Sequence, residues 1–206
     1  MSKRYDQYCP VAHALGAVGE RWTLLVVRDL MSGPKRYTDL AASLPGIGTN
    51  ILAARLKELE ESGLVEKRKL PPPAASTVYE LTAYGHGLRP VLHELARWGA
   101  RSLGPPPLDA LEEGWLVGAL DIALSPLAVA GKIAFRIGTE EASLVDGLSV
   151  PGIVEDADVL VESDAIGFYH LVVNRQLDGV RVDGDGSKLL QLLDAFAAPS
   201  PTPLPV

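Results

Sequence analysis

The sequence predicts an α+β protein with two domains. The first hundred residues alternate between apolar stripes at helical spacing and, near their end, two short β-like runs. Residues 104–107 (GPPP) then interrupt the chain, because consecutive prolines cannot continue a helix and favour an extended spacer. The second half mixes period-two alternation with two helical stripes, which indicates a second α+β domain.

Four helices, two strands and a last helix are expected in order along the first half. Their apolar stripes begin at Pro10, Trp22, Tyr37 and Thr49, where Pro10 suits a first helical turn and Thr49 is a plausible N-cap. Gly63 is expected to end the fourth helix. Two β-like runs, residues 65–70 and 78–81, then flank a proline loop at 71–76, and Thr82 is expected to cap one last helix that carries an apolar stripe from residue 88 to 98.

The second half combines helical and strand patterns. Residues 108–124, 163–173 and 187–197 carry helical patterns, and residues 132–137, 142–145 and 157–162 read as strands. The predicted organisation is a first domain over 1–103, a proline-rich linker at 104–107, a second domain over 108–198 and a disordered proline-rich tail over 199–206.

Charge divides unequally between the two halves. The 206 residues carry a net charge of −7, yet residues 1–101 hold 14 Lys and Arg against 10 Asp and Glu. Residues 102–206 hold only 5 Lys and Arg against 16 Asp and Glu. A basic half joined to an acidic half predicts two domains with different partners.

Composition excludes several classes of protein. The single cysteine excludes an intrachain disulfide framework, four scattered histidines predict no metal site, and no cofactor is expected. No apolar run reaches the length of a membrane span and no secretory signal precedes the first helix, so a cytoplasmic protein without membrane association is expected. No phosphate loop or nucleophile elbow is present, and Asp183 and Asp185 lack the further ligands of a calcium loop. We therefore expect no catalytic residues and no enzymatic activity.

The order of elements in the first half is that of a winged helix-turn-helix, which binds double-stranded DNA. Its fourth helix would lie in the major groove, with Thr49, Asn50, Ala53 and Lys57 on the outward face. Basic side chains before the third helix and on the first wing strand would contact phosphates. These candidates are Lys35, Arg36, Lys67, Arg68 and Lys69.

Plainer interpretations stand beside this one. A basic run such as residues 67–69 is, taken on its own, usually a solvated face, and Asn50 is also a common helix-capping residue. Arg55 would pair with Glu58 or Glu20 and have no role in DNA binding.

The motifs of the first half resemble those of HxlR-type winged helix regulators over residues 5–102. The matching stretches are 9–11 (CPV), 19–25 (GERWTLL), 28–30 (RDL), 37–40 (YTDL), 44–47 (LPGI), 52–56 (LAARL), 59–65 (LEESGLV) and 79–82 (YELT). The resemblance implies a bacterial transcription factor whose first and last helices form a homodimer. The proline-rich wing tip departs from the more polar tip expected in that family.

The second half resembles the sterol carrier protein fold in its hydrophobic spacing at 133–137, 143–147, 157–161, 182–185 and 189–193. The resemblance implies a five-stranded sheet with an apolar tunnel for a lipid-like effector. Candidate lining residues are Trp115, Phe135, Phe168, Tyr169 and Leu177, each of which is also typical of an ordinary core.

Three functional hypotheses follow. The first is a dimeric regulator modulated by an apolar small molecule in the second domain. The second is a thiol- or electrophile-sensing repressor that uses Cys9, which precedes Pro10 at a helix N-terminus, although Cys9 also suits a small buried contact. The third is a lipid-binding protein whose winged helix docks protein. The basic first half disfavours the third.

Overall fold

The protein is described by a computed structural model that covers residues 5–73, 75–107, 111, 114–124, 127 and 129–196. Its internal contacts divide the chain into two compact units, Met1–Leu92 and His93–Val206. The division falls within a helix and therefore precedes the proline-rich segment at 104–107. The predicted domain and linker boundaries remain predictions, and the predicted tail at 199–206 lies outside the described residues.

The first unit contains the predicted helices and the hairpin. Its elements, the last of which continues into the second unit, are α1 (Pro10–Val18), α2 (Thr23–Met31), α3 (Tyr37–Ser43), α4 (Thr49–Glu61), β1 (Val65–Lys69), β2 (Thr77–Leu81), α5 (Ala83–His86) and α6 (Arg89–Leu103). Strands β1 and β2 pair antiparallel from Val65 with Leu81 to Lys69 with Thr77. Lys35 adds a single bridge to Tyr79, so β2 is held on both edges at that point.

Helix α4 ends as the sequence predicts. The backbone N–H of Gly63 donates to the carbonyl of Glu60, and the N–H of Leu64 donates to the carbonyl of Leu59, both at 3.0 Å. Gly63 has a φ of +72°, a left-handed conformation that glycine adopts without strain. This pair of bonds is a Schellman motif, and it turns the chain directly from α4 into β1.

Two helix boundaries differ from the expectation. The N-cap of α4 is Gly48, and Thr49 is the first helical residue. Thr82 does cap a helix, since its hydroxyl accepts from the N–H of Gly85 at 3.1 Å, but that helix is the four-residue α5. Helix α5 ends before Gly87 and α6 begins at Arg89, so nearly all of the apolar stripe of residues 88–98 belongs to a separate helix.

The core of the first unit lies between the helices and the start of the hairpin. Aliphatic side chains of α2, α3 and α4 form it together with residues at the hairpin's base. Its most enclosed members are Val26, Val27, Leu30, Leu40, Leu44, Leu52, Leu56, Leu59, Leu64 and Val65.

The second unit is built around one mixed sheet. Beyond its share of α6, the elements are α7 (Trp115–Ala123), β3 (Lys132–Ile137), β4 (Glu140–Val145), β5 (Leu148–Pro151), β6 (Val159–Ser163), α8 (Ala165–Tyr169), a π-helical turn (His170–Asn174), β7 (Arg181–Gly184) and α9 (Gly186–Phe196). The strand order is β5-β4-β3-β6-β7. Only β3 and β6 pair in parallel, and the other neighbours are antiparallel.

The two faces of this sheet differ. Ile133, Phe135 and Ile137 of β3 join the apolar core of helices α7, α8 and α9. Arg136 points to the other face, where it donates to Glu141 at 2.8 Å and to Glu162 at 2.6 Å. Ion pairs between neighbouring strands therefore connect this second face, where Ala134 and Ser143 are also buried, while the first face forms the main apolar core.

The pattern of the second half was only partly predicted. Strands β5 and β7 were not predicted from periodicity. The predicted helix over 163–173 is an α-helix from Ala165 that widens into a π-turn at His170. The start of the helix predicted over 108–124 falls largely outside the described residues, and α7 begins at Trp115. In the described part of the chain, no helix is long and apolar enough to cross a membrane.

Gly85 provides a test of the packing of α5. A Cβ at this position would overlap the backbone carbonyl oxygen of Leu64, which cannot move without disturbing β1. We expect Gly85→Ala to lower the free energy of unfolding of the first unit by about 1–3 kcal/mol, as overpacking does. Gly118→Ala, on the exposed side of α7 with no atom near its Cβ position, is the matched control and should be neutral or stabilising. Equal urea midpoints for both variants would contradict this packing.

Candidate nucleic-acid interface

Helix α4 presents a polar, small-residue face to solvent. Leu52, Leu56 and Leu59 are at most 2% exposed. On the opposite side, Asn50 and Lys57 are exposed. Burial of one leucine stripe therefore turns the predicted base-reading face outward, because α-helical side chains repeat every 3.6 residues.

The other residues predicted on α4 share this outward face. Thr49 and Ala53 are exposed, whereas Ala54 is half-buried. Lys57 lies 3.7 Å from the Glu61 carboxylate, and both side chains are largely solvated. An ion pair of this kind on a helix surface contributes little to stability, so the Lys57 ammonium is available to a phosphate or a base.

Helix α3 is fixed to the start of α4 by a tyrosine that sequence reasoning did not select. The hydroxyl of Tyr37 donates to the backbone carbonyl of Thr49 at 2.8 Å. The Asp39 carboxylate accepts from the N–H of Arg36 at 3.0 Å, which satisfies one free donor at the beginning of α3. The Tyr37 bond therefore connects the two helices of the helix-turn-helix, whereas the Asp39 bond stabilises the start of α3.

Arg55 behaves as the plainer interpretation of the sequence proposed. Its guanidinium lies 2.9 Å from the Glu58 carboxylate and 3.5 Å from that of Glu20. The side chain is only 13% exposed. Arg55 therefore connects α4 to the chain between α1 and α2, and we assign it no contact with DNA.

The basic residues of the wing fall on two faces of the ribbon. Lys67 and Lys69 lie opposite Tyr79 and Thr77, and the Lys67 ammonium lies 5.4 Å from the centre of the Tyr79 ring. Arg68 lies on the other face. Its guanidinium makes a bidentate ion pair with the Glu80 carboxylate, one of whose bonds measures 2.8 Å.

The ion pair between Arg68 and Glu80 shifts the pKa of both side chains. Hydrogen bonding and proximity to Glu80 raise the pKa of Arg68 above its ordinary value. The hydrogen bond from Arg68 lowers the pKa of Glu80. By contrast, no carboxylate lies within ion-pair distance of Lys35, Arg36, Lys67 or Lys69 among the described residues.

The predicted ligand-lining residues are partly brought together. Phe168 contacts Trp115 and Phe135 edge-to-face, with ring centres 6.2 Å and 5.7 Å apart. Tyr169 is half-buried and its ring faces His170. Leu177 is 57% exposed, so it lies at the surface rather than within the core.

A groove of about 630 Å³ opens in the first unit. Its walls include Tyr5, His13, Glu58, Glu61 and Tyr84, from the N-terminal segment, α1, the end of α4 and α5. None of the residues selected from the sequence lines it. Three glutamates line it, of which Glu20 and Glu58 lie beside Arg55 and Glu61 lies beside Lys57.

Cys9 is a partly buried free thiol at the N-cap of α1. The N–H of His13 donates to the Cys9 carbonyl at 2.9 Å, which begins the helix. In the described part of the chain, no group of three or more His, Cys, Asp or Glu side chains is arranged to hold a metal ion.

Helices α3 and α4, the outward face of α4 and the hairpin β1–β2 define the first unit as a winged helix-turn-helix domain. Comparison with known proteins agrees. A family model described as HxlR-like helix-turn-helix matches residues 17–106. The HTH-type transcriptional regulator YodB of Bacillus subtilis (strain 168) is 37% identical over 106 residues, which are 51% of this chain and 95% of YodB. The chain belongs to the HxlR-like helix-turn-helix family.

Two further relatives cover the same half. The uncharacterized HTH-type transcriptional regulator YvaP of B. subtilis (strain 168) is 34% identical over 105 residues, 50% of this chain and 97% of YvaP. The solved structure of the reduced form of YodB from B. subtilis is 35% identical and covers 49% of this chain and 100% of that chain, with a TM-score of 0.42. The family model and the two sequence relatives support a DNA-binding transcriptional regulator, and the family match ends before the sheet of the second unit.

Proposed function

We propose that this protein is a homodimeric, sequence-specific DNA-binding regulator that acts in the cytoplasm without catalysing a reaction. The observation that supports it best is the outward face of α4, where Thr49, Asn50, Ala53 and Lys57 stand free of the leucine core. In the complex, the start of α4 lies in the major groove, where Asn50 pairs with an adenine edge. Lys35, Arg36, Lys67 and Lys69 contact phosphates on either side.

Homodimer formation is proposed through the exposed apolar side chains of the first and last helices of the family domain. Val11 and Leu15 of α1 are 66% and 45% exposed. Leu95 and Trp98 of α6 are 44% and 52% exposed. Such stripes are typical of subunit contacts, and two copies of α4 would read two half-sites about one helical turn apart.

The second unit is proposed to bind an apolar, lipid-like effector. Support comes from the sterol-carrier-like spacing of its sequence, from its five-stranded sheet and from the ring contacts of Phe168 on α8 with Trp115 on α7 and Phe135 on β3. An effector that binds the DNA-competent and DNA-incompetent forms with different affinities would shift operator binding.

A second candidate is regulation through the thiol of Cys9. Cys9 is partly buried at the N-cap of α1, the helix whose Val11 and Leu15 are proposed to form the dimer contact. Oxidation or alkylation of the sulfur there would add bulk or charge where the two subunits meet, and would thereby change the spacing of the two recognition helices.

The first prediction that tests this function concerns Asn50. Asn50→Ala removes a bidentate contact to a base and should weaken operator binding by about 1–3 kcal/mol while leaving random DNA binding unchanged. Asn174→Ala, in the second unit where the amide contacts His170 at 2.8 Å, is the matched control and should bind operator normally. Quantitative mobility shift against operator and random duplexes measures both. Unchanged operator affinity in Asn50→Ala would remove α4 from base reading.

The second prediction concerns assembly. Trp98→Glu places a charge in the exposed α6 stripe and should convert the dimer to a monomer at micromolar concentration, as measured by light scattering. Leu148→Glu introduces the same charge at a residue of β5 that is 71% exposed, and should leave the dimer intact. A monomeric wild-type protein, with or without operator DNA, would refute the proposed assembly.

The third prediction separates the two routes of regulation. Trp115→Ala should weaken binding of a fluorescent fatty-acid probe at least tenfold, because a large apolar surface is removed, whereas Leu177→Ala should not. Cys9→Ser should retain the full response of operator binding to the fatty acid and lose any response to diamide. If the fatty acid leaves operator binding by the wild-type protein unchanged, while diamide changes it in the wild-type protein but not in Cys9→Ser, the thiol route is favoured instead.

A further inference from the structure

The hairpin β1–β2 carries opposite charge on its two faces. Alternation along β1 places Lys67 and Lys69 on one face, with Thr77 and Tyr79 across from them. The other face presents Glu66, Arg68 and Glu80, which includes two carboxylates for one guanidinium. The three consecutive basic residues 67–69 therefore do not form a single basic surface.

Arg68 is committed to its own hairpin. Both Nε and one terminal nitrogen of its guanidinium donate to the two oxygens of the Glu80 carboxylate. Glu80 is the more enclosed partner, with 18% of its side chain exposed against 48% for Arg68. Transfer of Arg68 to a DNA phosphate would leave Glu80 unpaired, and would bring the Glu66 carboxylate toward the same phosphates.

The face of the hairpin that carries Lys67 and Lys69 can contact phosphates without leaving a carboxylate unpaired. Lys67 and Lys69 are exposed, and no carboxylate in the described part of the chain pairs with them. The ring of Tyr79 lies beside the Lys67 ammonium and limits its freedom without neutralising its charge. Tyr79 is itself held in place, because its backbone exchanges hydrogen bonds of 2.8 Å and 3.0 Å with Lys35, another proposed phosphate contact.

We propose that the wing meets the DNA backbone with the face of Lys67, Lys69, Thr77 and Tyr79, and that Arg68 is an internal ion-pair partner of Glu80 rather than a phosphate contact. This inference rests on the proposed DNA binding and adds the orientation of the wing to it. Glu66 and Glu80 then lie on the side away from the duplex, where their charge does not oppose binding.

The experiment measures the salt dependence of binding to a random-sequence duplex by the full-length protein. Each phosphate contact contributes about 0.9 to the slope of log affinity against log salt concentration. Lys67→Gln and Lys69→Gln should each reduce the slope by about that amount. The double variant Arg68→Gln/Glu80→Gln, which leaves the net charge unchanged, should retain the wild-type slope and affinity.

Each outcome decides a separate point. A loss of about 0.9 from the slope of the Arg68/Glu80 double variant, or an unchanged slope in both lysine variants, would overturn the orientation of the wing. If circular dichroism shows that the glutamine pair does not fold, Arg68→Met/Glu80→Met keeps an apolar contact between the strands and gives the same readout. Failure of the wild-type protein to bind any duplex at low salt would instead refute the proposed function itself.

Discussion

The burial of one leucine stripe on α4 is the constraint on which the first unit depends. Leu52, Leu56 and Leu59 leave the helix only one rotation about its axis that keeps them out of water. Burial of three such side chains is worth about 5–9 kcal/mol of transfer free energy, far more than any polar contact on the opposite face. Burial of the leucines therefore fixes the orientation of α4, and Asn50 and Lys57 point to solvent as a consequence.

Most of the fold could be predicted where periodicity was strong. The positions of α1 to α4 and of β3 follow from regular apolar spacing and from glycine and proline at their ends, although α2 and α4 each begin one residue away from the expected start. The edge strands β5 and β7 could not be found in this way, because β7 is exposed along its whole length and carries no alternation. The break at Gly87 was missed for the converse reason, since the apolar stripe of residues 88–98 continues a plausible pattern across it.

In the candidate site, too, contacts between residues close in sequence could be predicted, whereas contacts between distant residues could not. The pairing of Arg55 with Glu58 could be predicted, because residues three apart on a helix are neighbours. The pairing of Arg68 with Glu80 could not, because it depends on the register of a hairpin whose proline-rich loop sets no standard turn. Leu177 illustrates a further limit, since an apolar residue in a loop gives no indication of which way it faces.

The parallel pairing of β3 with β6 has a consequence for how the chain acquires its structure. Ile133 meets Val159 only after β4, β5 and the following loop have been placed, whereas Val65 meets Leu81 through one short hairpin. Distant strand pairing slows folding, and synthesis releases the N-terminal half first. We therefore expect the helix-turn-helix to be complete on the ribosome while β3 still lacks its parallel neighbour, so that the nascent second unit is the part of the chain most exposed to aggregation and to chaperones.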